Sequence, residues 1–345
     1  MRHGPWKKML VMTEGYAKTY SAKAATGVIR YCRDEIVGIL DSQYAGGDMG
    51  AVLGAGGGLT VVADVASARP LGPQTLLLGV APIGGALPDG WRRQIIDALN
   101  AGLDVVSGLH HFLSDDPELA ALAAKKGRTI HDLRRPRENV PVACNLASRM
   151  DARRVLTVGS DGCVGKMFAS IEVTEELLRR GRDADFVATG QIGIMISGRG
   201  VPVDHVISDF MAGAVEQELL GRERHEVFVI EGQGSILHPG FSGVTLALMH
   251  GAAPDAMIFC HSATRETQIG GIRIPPVGEQ IDLHEELCRH THTSKVIGIS
   301  LNCAGLDTET ARAAVDRIQG ETGLPATDPV KFGAGPLADA VEAIL

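Results

Sequence analysis

The sequence predicts an α/β protein with mostly parallel sheets, and three observations carry that expectation. Short Val/Ile/Leu-rich runs alternate with helix-length segments along the whole chain. Glycines number 43 without any Gly-X-Y period, as expected where tight turns follow buried parallel strands. The chain is 345 residues long, enough for about two domains.

The first half alternates from its start. Met9–Thr13 reads as a strand, Ser21–Arg33 as a helix and Glu35–Leu40 as a second strand. Leu76–Val80, a helix over Trp91–Ala101 and the strand Asp104–Ser107 follow. A helix over Pro117–Lys126 then leads to the strand Thr129–Leu133. Strands this short, separated by helices, imply parallel pairing through crossovers and an open Rossmann-like sheet. The charged, proline-bearing run Arg134–Pro141 has no periodicity and marks the boundary, giving domains 1–140 and 141–345.

In the second half, Arg154–Val158, Asp185–Ala188, Glu226–Ile230, Ala256–Cys260 and Lys295–Leu301 read as strands. The helices between and after them are expected over Lys166–Arg180, Asp204–Leu220, Gly243–His250, Gly278–His290, Thr308–Gly320 and Leu337–Ile344.

Lys and Arg total 33 against 41 Asp and Glu, a formal charge of −8. That balance argues against bulk attraction to nucleic acid or to an anionic membrane. No apolar stretch reaches the length of a membrane span. Six scattered cysteines without a C-x-x-C pair read as reduced thiols of a cytoplasmic protein.

The sharpest motif lies between a predicted strand and a predicted helix. It runs Gly159, Ser160, Asp161, Gly162, Cys163, Val164, Gly165, Lys166, Met167. A glycine-rich strand-to-helix turn aims unpaired backbone N–H groups and the positive helix end at an anion, and Lys166 adds a mobile charge. These residues are therefore expected to form a phosphate-binding loop (P-loop) in a P-loop NTPase-like domain. Two departures qualify its chemistry: five residues rather than four separate the two outer glycines, and Met167 replaces the Ser/Thr that would place a hydroxyl on Mg²⁺. Such a loop can cradle phosphates without cleaving them.

Further candidates follow strand ends, where parallel sheets place their ligands. Glu231, in Glu231-Gly-Gln-Gly, is positioned as a general base or an acidic metal ligand. His238 and His261 are candidates for proton transfer. Asn302 can present a donor and an acceptor to an adenine edge. Gln191 follows another strand, while Arg199 and Lys18 are cations able to hold a substrate carboxylate. His284, Cys288, His290 and His292 fit no zinc spacing, so no metal site is expected. The Thr13–Thr19 turn lacks G-x-G-x-x-G, and Gly54–Gly58 follows no strong strand, so neither is a dinucleotide fingerprint.

The longer loop spacing, the Gly-x-Asp opening and the Glu-Gly-x-Gly turn resemble dethiobiotin synthetase. Taken together, residues 159–167, 188–191 with 198–202, and 327–333 resemble the recurring segments of a family labelled as a domain of unknown function, which includes bacterial D-glutamate N-acetyltransferases. The resemblance runs over nearly the whole chain. It implies a Rossmann-like first domain, a P-loop second domain, acetyl-CoA as donor and an acidic D-amino acid as acceptor. Under that implication Glu231, with His238, deprotonates the amine, backbone N–H groups at Gly190 or Gly232 hold the oxyanion, and a homo-oligomer is expected. An ATP-dependent ligase of dethiobiotin-synthetase type is the alternative, with Asp161 and Glu231 holding Mg²⁺. A non-catalytic nucleotide-binding regulator is a third.

Overall fold

The computed structural model describes residues 4–18, 22–80 and 87–345. Thr19 and Ser21, expected in the first turn and helix, lie outside them. The chain divides into two compact units. One comprises the residues up to Arg135 together with Gln191–Pro202; the other comprises Pro136–Gly190 and Val203–Leu345.

The elements of the first unit are β1 (Met9–Met12), α1 (Lys23–Tyr31), β2 (Ile36–Leu40), α2 (Gly50–Leu53), β3 (Val61–Val62), β4 (Thr75–Leu78), α3 (Asp89–Asn100), β5 (Asp104–Ser107), α4 (Pro117–Lys126) and β6 (Ile130–Asp132). The described strands pair in the order β3-β2-β1-β4-β5-β6, all parallel. This is a Rossmann-like sheet whose order reverses between β1 and β4. All four side chains of β1 are buried, because helices cover both faces of such a sheet and no alternation is needed. Each fully buried aliphatic residue of these strands contributes about 1.5–3 kcal/mol. Helix α4 begins where Asp116 accepts the N–H groups of Glu118 and Leu119, and ends at Gly127, in the left-handed region at φ 61°. The two-residue strand β3 and the single turn α2 lie in glycine-rich sequence too short to show a period.

The second unit contains β7 (Arg153–Gly159), α5 (Lys166–Arg179) and β8 (Ala184–Val187). Helix α6 (Gln191–Ser197) comes next in the chain but belongs to the first unit. There it packs on α1; Trp6 Nε1 donates to the Met195 carbonyl at 2.9 Å, and the Gly4 amide to Ile196 at 2.8 Å. The second unit resumes with α7 (Met211–Leu220), β9 (Val227–Ile230), α8 (Ser242–Ala252), β10 (Ala256–Ser262), α9 (Val277–Cys288), β11 (Lys295–Asn302), α10 (Thr308–Thr322), β12 (Ala326–Thr327) and α11 (Gly335–Glu342). Its described strands are again all parallel, in the order β12-β11-β10-β7-β9-β8.

The helix expected over Asp204–Leu220 starts later than the sequence suggested. Two short 3₁₀ turns, Val203–His205 and Ser208–Phe210, precede α7. The reason lies at Ile207, which adopts an extended backbone (ψ 136°) and interrupts the helix. Within α7, the buried Glu216 carboxylate accepts amide hydrogens from Cys144 at 2.9 Å, from Leu146 at 2.5 Å and from Ala147. That acid satisfies backbone donors that no strand or helix would pair.

Strand β7 sits in the interior of its sheet, between β9 and β10, with Gly159 level with Cys260 and Leu156 level with Ile230. The carboxyl ends of three adjacent strands therefore bring Gly159, Glu231 and His261 to one edge.

Candidate functional site

The turn from β7 into α5 runs from Gly159 to Lys166. Close packing rather than flexibility demands glycine at its start: a Cβ on Gly159 would come 2.5 Å from the Cys260 carbonyl oxygen. Opposite it, a Cβ on Gly232 would lie 1.6 Å from the Thr157 carbonyl oxygen. Cys163 adopts the left-handed region at φ 61°, and Gly165 follows at φ 104°. The amides of Val164, Gly165, Lys166 and Met167 donate to no group among the described residues, as expected at a helix start. Unpaired N–H groups at the positive end of a 14-residue helix are the arrangement that favours an anion.

Lys166 is buried, and its ammonium donates to the carbonyls of Asp161 at 2.7 Å and Gly234 at 2.8 Å. It thus ties the loop to the Glu-Gly-Gln-Gly turn. Burial lowers its pKa, opposed by the negative charges around it.

Glu231, one residue past β9, is 6% exposed. Its Oε2 accepts the amides of Thr189 at 2.9 Å and Gly190 at 3.1 Å, while Oε1 accepts no hydrogen bond among the described residues. Burial raises its pKa to about 7, against the lowering pull of those two amides and of Lys166. The carboxylate is held rigidly by one oxygen and leaves the other for a proton.

Asp161 is fully buried and fully engaged. Oδ1 accepts the Gly162 amide at 2.7 Å; Oδ2 accepts Arg265 Nη1 at 2.8 Å and the Ile269 amide at 2.7 Å. Residues 264–274 form a hairpin-like strap, with an antiparallel bridge between Thr267 and Arg273, that buttresses the loop. Gln268 Nε2 donates to the Ser160 carbonyl at 2.9 Å, and Arg265 Nη1 also reaches the Gly162 carbonyl at 2.7 Å. Ser160 Oγ lies 2.8 Å from His261 Nδ1. Burial, reinforced by the charges of Arg265 and Arg317, lowers the His261 pKa to about 4, so its ring is neutral at pH 7.

Two expected roles meet obstacles. His238 lacks a free ring nitrogen: Nε2 pairs with the Ile269 carbonyl at 2.7 Å and Nδ1 accepts the Gly240 amide at 3.1 Å, with the ring stacked on Phe241. Both ring nitrogens are thus engaged within the protein, and the ring ties the strap at Ile269 to the turn after β9. The backbone N–H groups of Gly190 and Gly232 are also committed, to Glu231 and to Thr157 Oγ1 (2.8 Å) respectively. Neither amide is available to an oxyanion.

Asn302 ends β11, where its Oδ1 accepts the Ala304 amide at 3.0 Å. Its side chain lies beside Gly165, about 3.7 Å from where a Cβ on that glycine would stand. The loop, Lys166, Glu231 and Asn302 are thus assembled within one unit. Gln191, Arg199 and Lys18 belong to the other; Lys18 lies over the Tyr44 ring and the Arg199 backbone bonds the Ser197 hydroxyl. In that unit Asp41, at the carboxyl end of β2, accepts Thr13 Oγ1 at 2.8 Å and the Gln43 amide at 3.1 Å. Both of its oxygens serve the protein's own turn.

Sequence reasoning missed Arg265 and Gln268. The sole signal was a basic residue just beyond a strand end, which is common on any surface.

A parallel sheet whose interior strand feeds a glycine-lysine turn into a helix defines a P-loop α/β protein, here joined to a Rossmann-like unit. Residues 141–338 match the Domain of unknown function (DUF1611_C) P-loop domain, and residues 42–136 match the DUF1611_N Rossmann-like domain. The chain belongs to the DUF1611 family. A D-glutamate N-acetyltransferase from Tritonibacter scottomollicae is 40% identical over 94% of this chain and 95% of its own. One from a Pseudoalteromonas species is 37% identical over 78% and 82%. The crystal structure of a DUF1611 family protein from Anabaena variabilis superposes with a TM-score of 0.92 at 38% identity, covering 98% of this chain and 99% of that one. Among the described residues, no helix is long and apolar enough to cross a membrane.

Proposed function

We propose that this protein transfers an acetyl group from acetyl-CoA to the amine of D-glutamate or a closely similar acidic D-amino acid. The observation that carries the reading is its near full-length similarity, at 40% identity, to a protein of that activity. The site's chemistry supports it. The loop amides and Lys166 suit the phosphates of coenzyme A, and Asn302 beside Gly165 suits its adenine.

An amino acid's ammonium group must lose a proton before it attacks the thioester carbon. Glu231, with Oε1 open among the described residues and its pKa raised by burial to about 7, is the base we assign. Glu231 takes one proton from the ammonium and releases it to water. The free amine then attacks the thioester carbon, the C–N bond forms and the C–S bond breaks, and the second nitrogen-bound proton passes through Glu231 to the sulfur, so that coenzyme A leaves as its thiol. The ligase alternative needs Asp161 to hold Mg²⁺, and that carboxylate is already filled by Arg265 and two amides.

The test is incubation of the purified protein with acetyl-CoA and a panel of D- and L-amino acids, following thiol release and product mass. Thiol release that depends on D-glutamate is the expected result. Phosphate release from Mg-ATP with no thiol release would overturn it.

A further inference from the structure

P-loops that handle nucleoside triphosphates offset phosphate charge with Mg²⁺, held by a hydroxyl at the position after the loop lysine and by acids nearby. This loop does not fit that ion. Met167 supplies no oxygen. The Asp161 carboxylate is 0% exposed and would have to surrender three hydrogen bonds to bind a metal. Glu231 has one oxygen taken by two amides.

Beside the loop there is a guanidinium. Arg265 Nη1 sits inside the loop, bridging Asp161 Oδ2 at 2.8 Å and the Gly162 carbonyl at 2.7 Å. Its Nε and Nη2 donate to no group among the described residues, and the side chain is 26% exposed. The residue is anchored at one nitrogen and has donors to spare at the others. A guanidinium's planar fork matches phosphate oxygens, and its charge is permanent.

We infer that Arg265 is the built-in cation of this loop, binding the ligand's phosphates through Nε and Nη2 and making recognition independent of Mg²⁺. The inference rests on the phosphate-bearing ligand of the proposed function and names the residue that completes its site.

Calorimetric titration tests it, with coenzyme A and with ADP as probes, each in EDTA and in millimolar Mg²⁺. The wild-type protein is expected to bind with affinities that agree within about twofold in the two media, whereas Mg²⁺ tightening both by tenfold or more would overturn the inference. In EDTA, R265Q is expected to bind about tenfold or more weakly, with R265K recovering part of the loss, since charge-assisted pairs are the strong ones. Because R265Q strands the buried Asp161, the double variant R265Q/D161N removes both charges and tests the same point in a neutral pair. It is expected to bind as weakly as R265Q; wild-type affinity in either folded variant would overturn the inference. Metal-independent binding of ADP without any binding of coenzyme A would remove the acetyl-CoA reading and leave Arg265 in its role. Acetyl transfer that requires Mg²⁺ would do the reverse.

Discussion

The Thr189 amide donates to Glu231 Oε2 at 2.9 Å, joining the turn after β8 to the turn after β9. Because this bond and its Gly190 companion use a single oxygen, the carboxylate is oriented without being neutralised. E231Q keeps the shape and an acceptor oxygen but cannot take a proton. It is expected to lower kcat by a factor of about 10²–10⁴ while leaving the KM for acetyl-CoA within a few fold. Steady-state kinetics read both, and an unchanged kcat would dismiss Glu231 as the base.

The raised pKa of Glu231 sets a pH dependence. Below about pH 7 the carboxyl is protonated and cannot act as a base, so kcat/KM is expected to fall about tenfold per pH unit on the acid side. The same shift acts on folding with a definite sign. Between the ordinary carboxyl value of 4.5 and about 7, the unfolded chain has lost this proton and the folded chain has kept it. Glu231 therefore makes stability decline as pH rises through that window. Denaturation midpoints of wild type and E231Q across it should diverge, the wild type losing more.

Lys166 lies where the loop closes on the turn after β9. K166A is expected to weaken coenzyme A binding by a factor of about ten or more, since hydrogen bonds to charged groups are worth ~1.5–3 kcal/mol. Calorimetry at fixed ionic strength measures this. Unchanged affinity would mean that the phosphates lie elsewhere.

Gly232 admits no side chain, because its Cβ would overlap the Thr157 carbonyl oxygen. G232A is expected to cost about 3 kcal/mol or more, or to displace the turn that holds Glu231. Denaturant titration reads the stability. A loss below about 1 kcal/mol would show that the backbone at Thr157 yields.

Much of this arrangement was legible in the sequence, for reasons that differ by residue. Gly159, Gly165 and Lys166 lie within eight positions of one another, and a strand and a helix of ordinary length flank them, so the turn reads locally. Glu231 reads nearly as well, because Val227–Ile230 is an uninterrupted apolar run. The Asp161–Arg265 pair spans 104 positions and depends on where the strap folds back, which no periodicity encodes. The edge strands β3 and β12 have two residues each, below the length at which any pattern can show. The place of His238 near the turn was visible in the sequence, while the partners of its ring, the Ile269 carbonyl and the Gly240 amide, were not.

The excursion of α6 into the first unit has a topological consequence. The polypeptide passes from one unit to the other three times, near residues 135, 190 and 202. Severing it within Arg134–Pro141 therefore yields no pair of intact halves. The leading fragment would lack the helix that covers α1, and the trailing fragment would carry that helix with its apolar side bare. A simple end-to-end fusion at that boundary would therefore transfer neither unit whole.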